Sequence, residues 1–222
     1  MARTAPLLHR DDPEKDPLVG HVKVTRQDWL NMARDVLVTE GVAEVKILAL
    51  SERMGVSRSS FYWYFENRSD LLSALLHEWE ARNTAQIISQ CELRSANITE
   101  AVCNFFRCFV DPAKFDGGLD FAVREWSRRE EPLRIRVDAA DTARIDAVTR
   151  MFEAHGFPVK EADARARILY FMQLGYHALE VREPIDLRMS RVKPYMQGFT
   201  GSDPDQAALD AFQDYVNSLG ME

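Results

Sequence analysis

Hydrophobic residues recur three or four positions apart along most of the chain, which is the spacing of one face of an α-helix. Runs with this spacing lie between Thr25 and Gly41, from Ile47 to Gly55, from Asn67 to Ile88, from Asn97 to Pro112, around Phe121 and Trp126, from Pro132 to Gly156, near 161–182 and near 204–219. Strand-like alternation of apolar and polar residues is not convincing anywhere. The pattern therefore predicts an all-α protein.

Capping signals indicate where several of these helices begin. Three pairs combine a polar residue with an acidic residue three positions later: Thr25 with Asp28, Asn67 with Asp70, and Asn97 with Glu100. Such pairs are typical of helix N-termini. Asp203 and Pro204 suit the N-cap and first position of the last helix. Gly117 and Gly118 predict a loop, and Gly55 can adopt the left-handed conformation that ends a helix.

The helical runs divide the chain into three predicted parts. Residues 1–22 contain three prolines and several charges but no apolar period, so we expect a flexible arm. Residues 23–70 form a small helical domain, and residues 71–222 form a larger one. The run that starts at Asn67 crosses the boundary and links the two domains.

Composition excludes several classes of protein. Three cysteines without C-x-x-C spacing argue against a disulfide framework or a zinc site and favour a cytoplasmic protein. No apolar run approaches the roughly 20 residues of a membrane-spanning helix. His155 and His177 are isolated in the sequence, which suits structural roles better than metal ligation. We therefore expect no metal, no cofactor and no membrane partner.

Charge by itself does not indicate a nucleic-acid partner. The formal net charge of the chain is -7, whereas DNA-binding proteins usually offer a basic surface. The segment from Gly20 to Leu76 contains seven basic and seven acidic residues and is therefore neutral. A DNA-binding prediction must depend on the placement of individual side chains.

The informative segment is residues 50–72, which read LSERMGVSRSSFYWYFENRSDLL. A helix, a turn containing Gly55 and a second short helix capped by Ser57 have the spacing of a helix-turn-helix. Phe61 and Phe65 would share the buried side of the second helix, and Trp63 would point the opposite way. Five consecutive aromatic residues surround this helix, so some of them must face outward.

Outward-facing aromatic and basic residues suit a DNA contact. Arg58 could donate to guanine, and the short side chains of Ser59 and Ser60 would allow close approach to base edges. Tyrosine hydroxyls at positions 62 and 64 suit phosphate oxygens. Arg68 would add its charge to the N-terminus of the next helix and hold another phosphate.

Residues 24–72 resemble the DNA-binding domain of the tetracycline-repressor (TetR) family, whose recognition helix typically reads like GVSRSSFYWYF here. The resemblance assigns DNA contacts to Arg58, Ser59, Ser60, Tyr62, Trp63, Tyr64 and Arg68. Two positions depart from the family pattern: Val45 and Lys46 replace a frequent threonine cap, and Ser59 replaces a frequent glycine. The resemblance also implies a C-terminal domain that binds a small-molecule effector and dimerises.

The C-terminal sequence offers candidates for both roles. Helices near 161–182 and 204–219 carry apolar stripes with the small residues Ala164, Gly175, Ala208 and Ala211, as in a four-helix dimer interface. The alternative is that both stripes cover only their own domain. An effector pocket could be lined by Phe105, Phe109, Phe121, Trp126, Met151 and Tyr170, although such residues at helical spacing more often form a core.

The function predicted is a repressor that leaves double-stranded operator DNA when an effector binds. Two alternatives stay open: a helical adaptor that binds protein through its exposed aromatic residues, and an enzyme. The chain contains no H-E-x-x-H, G-x-S-x-G, phosphate-loop or dinucleotide-binding motif, which disfavours the enzyme.

Overall fold

The computed structural model describes residues 24–220, and every regular element in that range is helical. The elements are α1 (Arg26–Glu40), a 3₁₀ turn (Val42–Glu44), α2 (Ile47–Arg53), a 3₁₀ helix (Arg58–Trp63), α3 (Arg68–Trp79), a π-helical turn (Glu80–Thr84), α4 (Ala85–Cys91), α5 (Ile98–Val110), α6 (Gly117–Ser127), α7 (Glu131–Ala154), α8 (Val159–Ala178), α9 (Ile185–Ser190), α10 (Val192–Thr200) and α11 (Gln206–Ser218). The all-α prediction is confirmed. The predicted arm, 1–22, lies outside the described residues.

The N-terminal caps predicted for α1, α3 and α5 are confirmed. The Thr25 hydroxyl accepts a hydrogen bond from the Asp28 backbone N–H, and the Asp28 carboxylate accepts one from the Thr25 N–H at 2.8 Å, which completes a capping box. Asn67 accepts from the Asp70 N–H at 3.0 Å at the start of α3. Gly55 has a φ of 64° in the turn after α2, where any other residue would be strained.

Two of the predicted helix boundaries are wrong. Gly117 and Gly118 begin α6, capped by Asp116, instead of forming a loop. A Cβ on Gly118 would lie 3.1 Å from the Val38 side chain, so glycine here permits α6 to approach α1 closely. The last helix is capped by Asp205, two residues later than predicted, because its side chain accepts from the Ala208 N–H. The sequence pattern also carried no signal for α9 and α10.

The linking helix has an irregularity that its sequence does not predict. Between α3 and α4 the backbone stays helical but widens into a π-helical turn at Glu80–Thr84. Asn83 within this turn is buried, donates to the Asp116 carbonyl at 2.9 Å and accepts from the Asp116 N–H at 3.0 Å. These two bonds join the linking helix to the N-terminus of α6.

A buried polar network surrounds the same turn. Arg144 on α7 has no exposed surface and donates to Asp120 on α6 at 2.9 Å. Asp120 also accepts from Trp79 Nε1 at 2.7 Å and from Arg124 at 2.8 Å. Arg124 in turn forms a two-pronged ion pair with Asp141 at 2.7 and 2.5 Å. The network therefore connects α3, α6 and α7.

The charges of this network balance. Two guanidinium groups, Arg124 and Arg144, face two carboxylates, Asp120 and Asp141. Burial alone would raise the pKa of Asp120, but the two arginines outweigh it and hold that pKa well below its usual range. The Tyr170 hydroxyl on α8 donates to Asp141 at 2.6 Å, and burial raises the pKa of this tyrosine. Asp120 therefore stays ionised at neutral pH.

Two clusters of buried hydrophobic residues fill the fold. The first contains Trp29, Phe61 and Phe65 and extends through α3 into α6 and the beginning of α7. The second lies among α4, α5, the later part of α7, α8, α10 and α11. Because the first cluster includes α6, the N-terminal helices pack on part of the larger region. The domain boundary at residue 70 stays a prediction.

We predict that Asp120→Asn lowers the free energy of unfolding by about 3 to 5 kcal/mol, because it leaves Arg144 buried without its main counter-charge. Denaturant unfolding at neutral pH measures this loss. The difference in unfolding free energy between the two proteins should narrow below about pH 4. Asp120 becomes protonated there in the unfolded chain, so its low pKa in the folded protein contributes progressively less stability to the wild type.

The control variant is Asp138→Asn, which breaks the exposed ion pair with Arg134 on the same helix, α7. An exposed pair four residues apart should contribute no more than about 0.5 kcal/mol. Equal losses for the two variants would contradict a structural role of the buried network.

Candidate DNA-binding surface

The segment Ile47–Trp63 folds as a helix, a tight turn and a short second helix. The Val56 N–H bonds to the Ser51 carbonyl at 3.0 Å across the turn. Ser57 occupies the N-cap position, but its side chain pairs with the Ser59 hydroxyl at 2.8 Å and caps no backbone N–H. The helix starts instead at the Ser57 carbonyl, which accepts from the Ser60 backbone at 3.0 Å.

The second helix of this unit is a 3₁₀ helix, which is wound more tightly than an α-helix. In a 3₁₀ helix, side chains three residues apart lie on the same side. Phe61 is fully buried and packs edge-on against Trp29 with ring centroids 5.2 Å apart. Tyr64, three residues later, therefore turns toward the body and is half-buried. The predicted inward positions of Phe61 and Phe65 are confirmed.

Most of the 3₁₀ helix apart from Phe61 is accessible to solvent. Trp63 is 84% exposed and Tyr62 is 53% exposed, although large aromatic side chains are usually buried. Arg58 and Ser59 are also exposed, and Ser60 is half-exposed. We call these five solvent-accessible residues of the 3₁₀ helix the 3₁₀ face. Large aromatic residues left in water usually mark a contact with a partner.

Two residues that were predicted to contact DNA, Tyr64 and Arg68, form hydrogen bonds within the protein instead. The Tyr64 hydroxyl donates to the Val24 carbonyl at 2.7 Å. Arg68 donates from Nε to the Val45 carbonyl at 2.6 Å and from Nη2 to the Val42 carbonyl at 2.5 Å. This arrangement differs from the expected phosphate contacts, because the loop before α2 supplies carbonyl acceptors within reach of α3.

Few cations near the 3₁₀ face are unpaired. Arg53 forms a two-pronged ion pair with Glu40 at 2.5 and 2.7 Å, and Lys46 contacts Glu44 at 3.0 Å. Arg58 forms no ion pair with any residue between positions 24 and 220. Arg58 is therefore the cation on this face with its donors available.

The six predicted effector-pocket residues are not brought together. Phe105 and Met151 are buried in the second hydrophobic cluster, and Trp126 is buried in the first. Tyr170 belongs to the polar network with Arg144. Phe109 packs on Phe115 and His177, whereas Phe121 borders a surface groove with Gly118.

A different cavity lies among α5, α8, α9, α10 and α11. It encloses about 60 Å³ and is lined by Phe106, Val110, Met172, Gln173, Tyr176, Ile185, Arg188, Met189, Val192, Tyr195 and Phe212. None of the six predicted residues lines it. The apolar period of α8 could have indicated Met172 and Tyr176. Arg188 and Tyr195 lie in the part of the sequence that carried no helical signal.

The two helices predicted to dimerise present different surfaces. On α8, Ile168 and Phe171 are exposed and follow one line along the helix with Ala164 and Gly175, and the exposed Leu179, directly after the helix, continues this line. We call these five residues the α8 stripe. On α11, the apolar residues Leu209, Phe212 and Val216 are buried in the second hydrophobic cluster, and Ala208 and Ala211 lie outside it.

The histidines and the remaining candidate ligands take part in local contacts. His155 contacts the Met151 carbonyl at 2.8 Å and the Ser95 hydroxyl at 3.0 Å. His177 contacts Gln173 at 3.0 Å, and burial lowers its pKa. Across residues 24–220, no three histidine, cysteine or acidic side chains converge as a metal site requires, and no helix has the length and apolarity to cross a membrane.

Comparisons with known proteins identify relatives of the helix-turn-helix and of the whole chain. The family model described as "Bacterial regulatory proteins, tetR family" matches residues 30–75. The transposon Tn10 TetC protein of Escherichia coli is 24% identical over 193 residues, which cover 83% of this chain and 94% of that protein. The HTH-type transcriptional regulator SrpR of Pseudomonas putida is 33% identical over 52 residues, which cover 23% of this chain and 24% of that protein.

Solved structures share the fold at low sequence identity. The fatty acid degradation regulator FadR from Bacillus halodurans superposes with a TM-score of 0.56 at 17% identity, covering 80% of this chain and 95% of that one. Salmonella enterica GusR superposes with a TM-score of 0.54 at 12% identity, covering 87% of this chain and 94% of that one. The family match shows that residues 30–75 carry the helix-turn-helix of the TetR family of bacterial regulatory proteins. The solved structures share the all-helical fold, in which this N-terminal unit is followed by a helical C-terminal region.

Proposed function

We propose that this chain is a DNA-binding transcription regulator of the TetR family, a dimeric repressor that releases its operator when a small molecule binds the C-terminal domain. The observation that carries the DNA-binding part is the 3₁₀ face, where Arg58, Tyr62 and Trp63 project from a helix anchored by buried Phe61. In a helix-turn-helix, the second helix enters the major groove. Repression by occupation of an operator is the mode of action that we infer from membership of the family.

The side chains of the 3₁₀ face suit distinct DNA groups. Arg58 has its donors available and can contact guanine O6 and N7. Ser59 and Ser60 are short, so the helix can approach the base edges closely. Tyr62 and Trp63 can donate from their hydroxyl and indole N–H to phosphate oxygens, and their rings can pack on sugars or thymine methyl groups.

Tyr64 and Arg68 act in this proposal by positioning the 3₁₀ helix. Tyr64 bonds to the residue that precedes the cap of α1, and Arg68 holds the loop before α2 through two carbonyls. Both contacts join the chain just after the 3₁₀ helix to segments that precede this helix in the sequence. They therefore fix the direction in which the 3₁₀ face points.

Dimerisation is proposed to use the α8 stripe, with α11 beside it. Phe171 and Ile168 are both more than half exposed in the single chain, and a second copy would remove them from water. The small residues Ala164 and Gly175 in the same stripe allow two α8 helices to pack closely. A dimer that places its recognition helices about 34 to 36 Å apart would contact successive major grooves.

A gel-shift titration with DNA from upstream of the chain's own gene tests the proposed function. We expect the protein to retard this DNA, the retardation to weaken as the salt concentration rises, and competitor DNA not to abolish it. The alternative of a protein-binding adaptor is favoured by the neutral charge and the exposed aromatic pair. An absence of retardation even at low salt would support that alternative and contradict the repressor.

We predict that Arg58→Ala weakens operator binding by about 1 to 3 kcal/mol and relaxes the preference for one base pair, because it removes the groove-facing guanidinium. Fluorescence anisotropy with operators substituted one base pair at a time measures both effects. The control variant Arg134→Ala removes one charge from α7, outside the helix-turn-helix, and should change neither the affinity nor the base preference. An equal loss on all sequences would argue against base contact.

We predict that Arg68→Ala lowers the free energy of unfolding by about 1 to 3 kcal/mol, because two part-buried hydrogen bonds to carbonyls are lost. The slope of log affinity against log salt concentration should stay unchanged, since that slope counts phosphate contacts. Denaturant unfolding and binding titrations at several salt concentrations check the two effects. A flatter slope would restore Arg68 as a phosphate contact.

We predict that Phe171→Glu converts the dimer to a monomer and abolishes operator binding, because it places a charge at the centre of the α8 stripe. Sedimentation velocity measures the oligomeric state. Ile135→Glu changes an exposed apolar residue of α7 outside the stripe and should leave the dimer intact. A dimeric Phe171→Glu protein would exclude this face as the interface.

A further inference from the structure

The cavity among α5, α8, α9, α10 and α11 combines an apolar wall with one cation. Phe106, Met172 and Phe212 are among its lining residues, and the polar side chains that reach it include Tyr176, Tyr195 and Arg188. The Tyr176 and Tyr195 hydroxyls pair with each other at 2.9 Å. Apolar sites with a few polar groups are the usual form of small-molecule pockets.

Arg188 differs from the neighbouring arginines because no carboxylate neutralises it. Arg191 pairs with Glu183 at 2.6 Å, and Arg182 pairs with Glu180 at 3.3 Å. Arg188 forms no ion pair within residues 24–220, and its guanidinium carbon lies 5.7 Å from the centre of the Tyr176 ring. Stacking on a ring uses none of the guanidinium N–H donors, so these remain available to a ligand.

We infer that this cavity binds a small organic anion whose apolar body fills the space among the aromatic side chains and whose acid group pairs with Arg188. This inference rests on the proposed function, since the anion would be the effector. A guanidinium at the wall repels cations and offers two parallel donors to a carboxylate or sulfonate. The mutual pairing of Tyr176 and Tyr195 leaves the rest of the wall suited to hydrocarbon.

The cavity must widen to accept such a molecule, because about 60 Å³ corresponds to only about two water molecules. The wall that can move is α9. This six-residue helix has no fully buried side chain, and the segment before it contains a positive φ at Glu180. Elements with few buried contacts open at low cost in free energy. Arg188 and Met189 both belong to α9, so an anion that enters would contact the moving wall directly.

Isothermal titration calorimetry on the full chain without DNA tests this inference with paired probes. The probes are 3-phenylpropanoate and its neutral amide, with octanoate to distinguish an alkyl from an aromatic body. We expect at least one acid to bind, and 3-phenylpropanoate to bind at least about tenfold more tightly than its amide, because the charge-assisted bond is available only to the acid. Equal binding of acid and amide, or no binding of either acid at millimolar concentration, would overturn the inference.

Two variants and one control locate the binding. Arg188→Gln should remove the tenfold advantage of the acid, whereas Lys193→Gln removes an exposed charge from α10 outside the cavity and should retain it. Met189→Trp should weaken binding of acid and amide alike by filling the space. Unchanged acid binding in either cavity variant would place the ligand elsewhere, and thermal unfolding of each variant verifies that it folds.

The DNA-binding assay separates this inference from the proposed function. An acid that binds the free protein but leaves the operator complex intact in a gel shift would contradict the effector-release mechanism and still support the anion site. If the protein binds its operator but binds neither acid, the result would support the repressor and contradict the anion site.

Discussion

The buried ion pair between Arg144 and Asp120 is the constraint on which the arrangement of the helices depends. A guanidinium without any exposed surface is unfavourable unless its donors and its charge are matched. The matching groups come from α6, α8 and the π-helical turn, because Asp120, Tyr170 and Thr84 all contact Arg144. None of these elements can shift far without leaving a buried charge unpaired. The network therefore holds the linking helix and the body of the C-terminal region in one relative position.

That position determines how the DNA-binding unit is presented. The linking helix is capped by Asn67, a few residues after the 3₁₀ helix, and reaches the polar network at Trp79 and Asn83. Gly118 lets α6 lie against α1, so the N-terminal unit is supported at a second place. A ligand that changes the packing of α8 would act on the same network through Tyr170. This gives a physical route between the C-terminal cavity and the 3₁₀ face.

Among the residues that the structure describes, the DNA-binding unit has little unpaired positive charge with which to attract a phosphate backbone. Its basic residues are largely paired with acidic residues or with backbone carbonyls, as Arg53 and Arg68 illustrate. These residues then contribute little long-range attraction to phosphates, and recognition by the described part of the unit would depend on the shape of the 3₁₀ face and on Arg58. The 3₁₀ face and the α8 stripe belong to different elements and share no residue, so one surface can contact DNA while the other contacts a second copy.

The sequence by itself determined the features that depend on residues a few positions apart. Thr25 with Asp28 and Asn67 with Asp70 cap their helices through local bonds, and the inward positions of Phe61 and Phe65 follow from spacing alone. Only the tertiary structure decided which charged residues are buried and where a cavity forms. Arg144 resembles any surface arginine in the sequence, since its partner Asp120 lies 24 residues away. Arg188 likewise gained its surroundings from helices distant in sequence, because local patterns carry no information about which faces will meet.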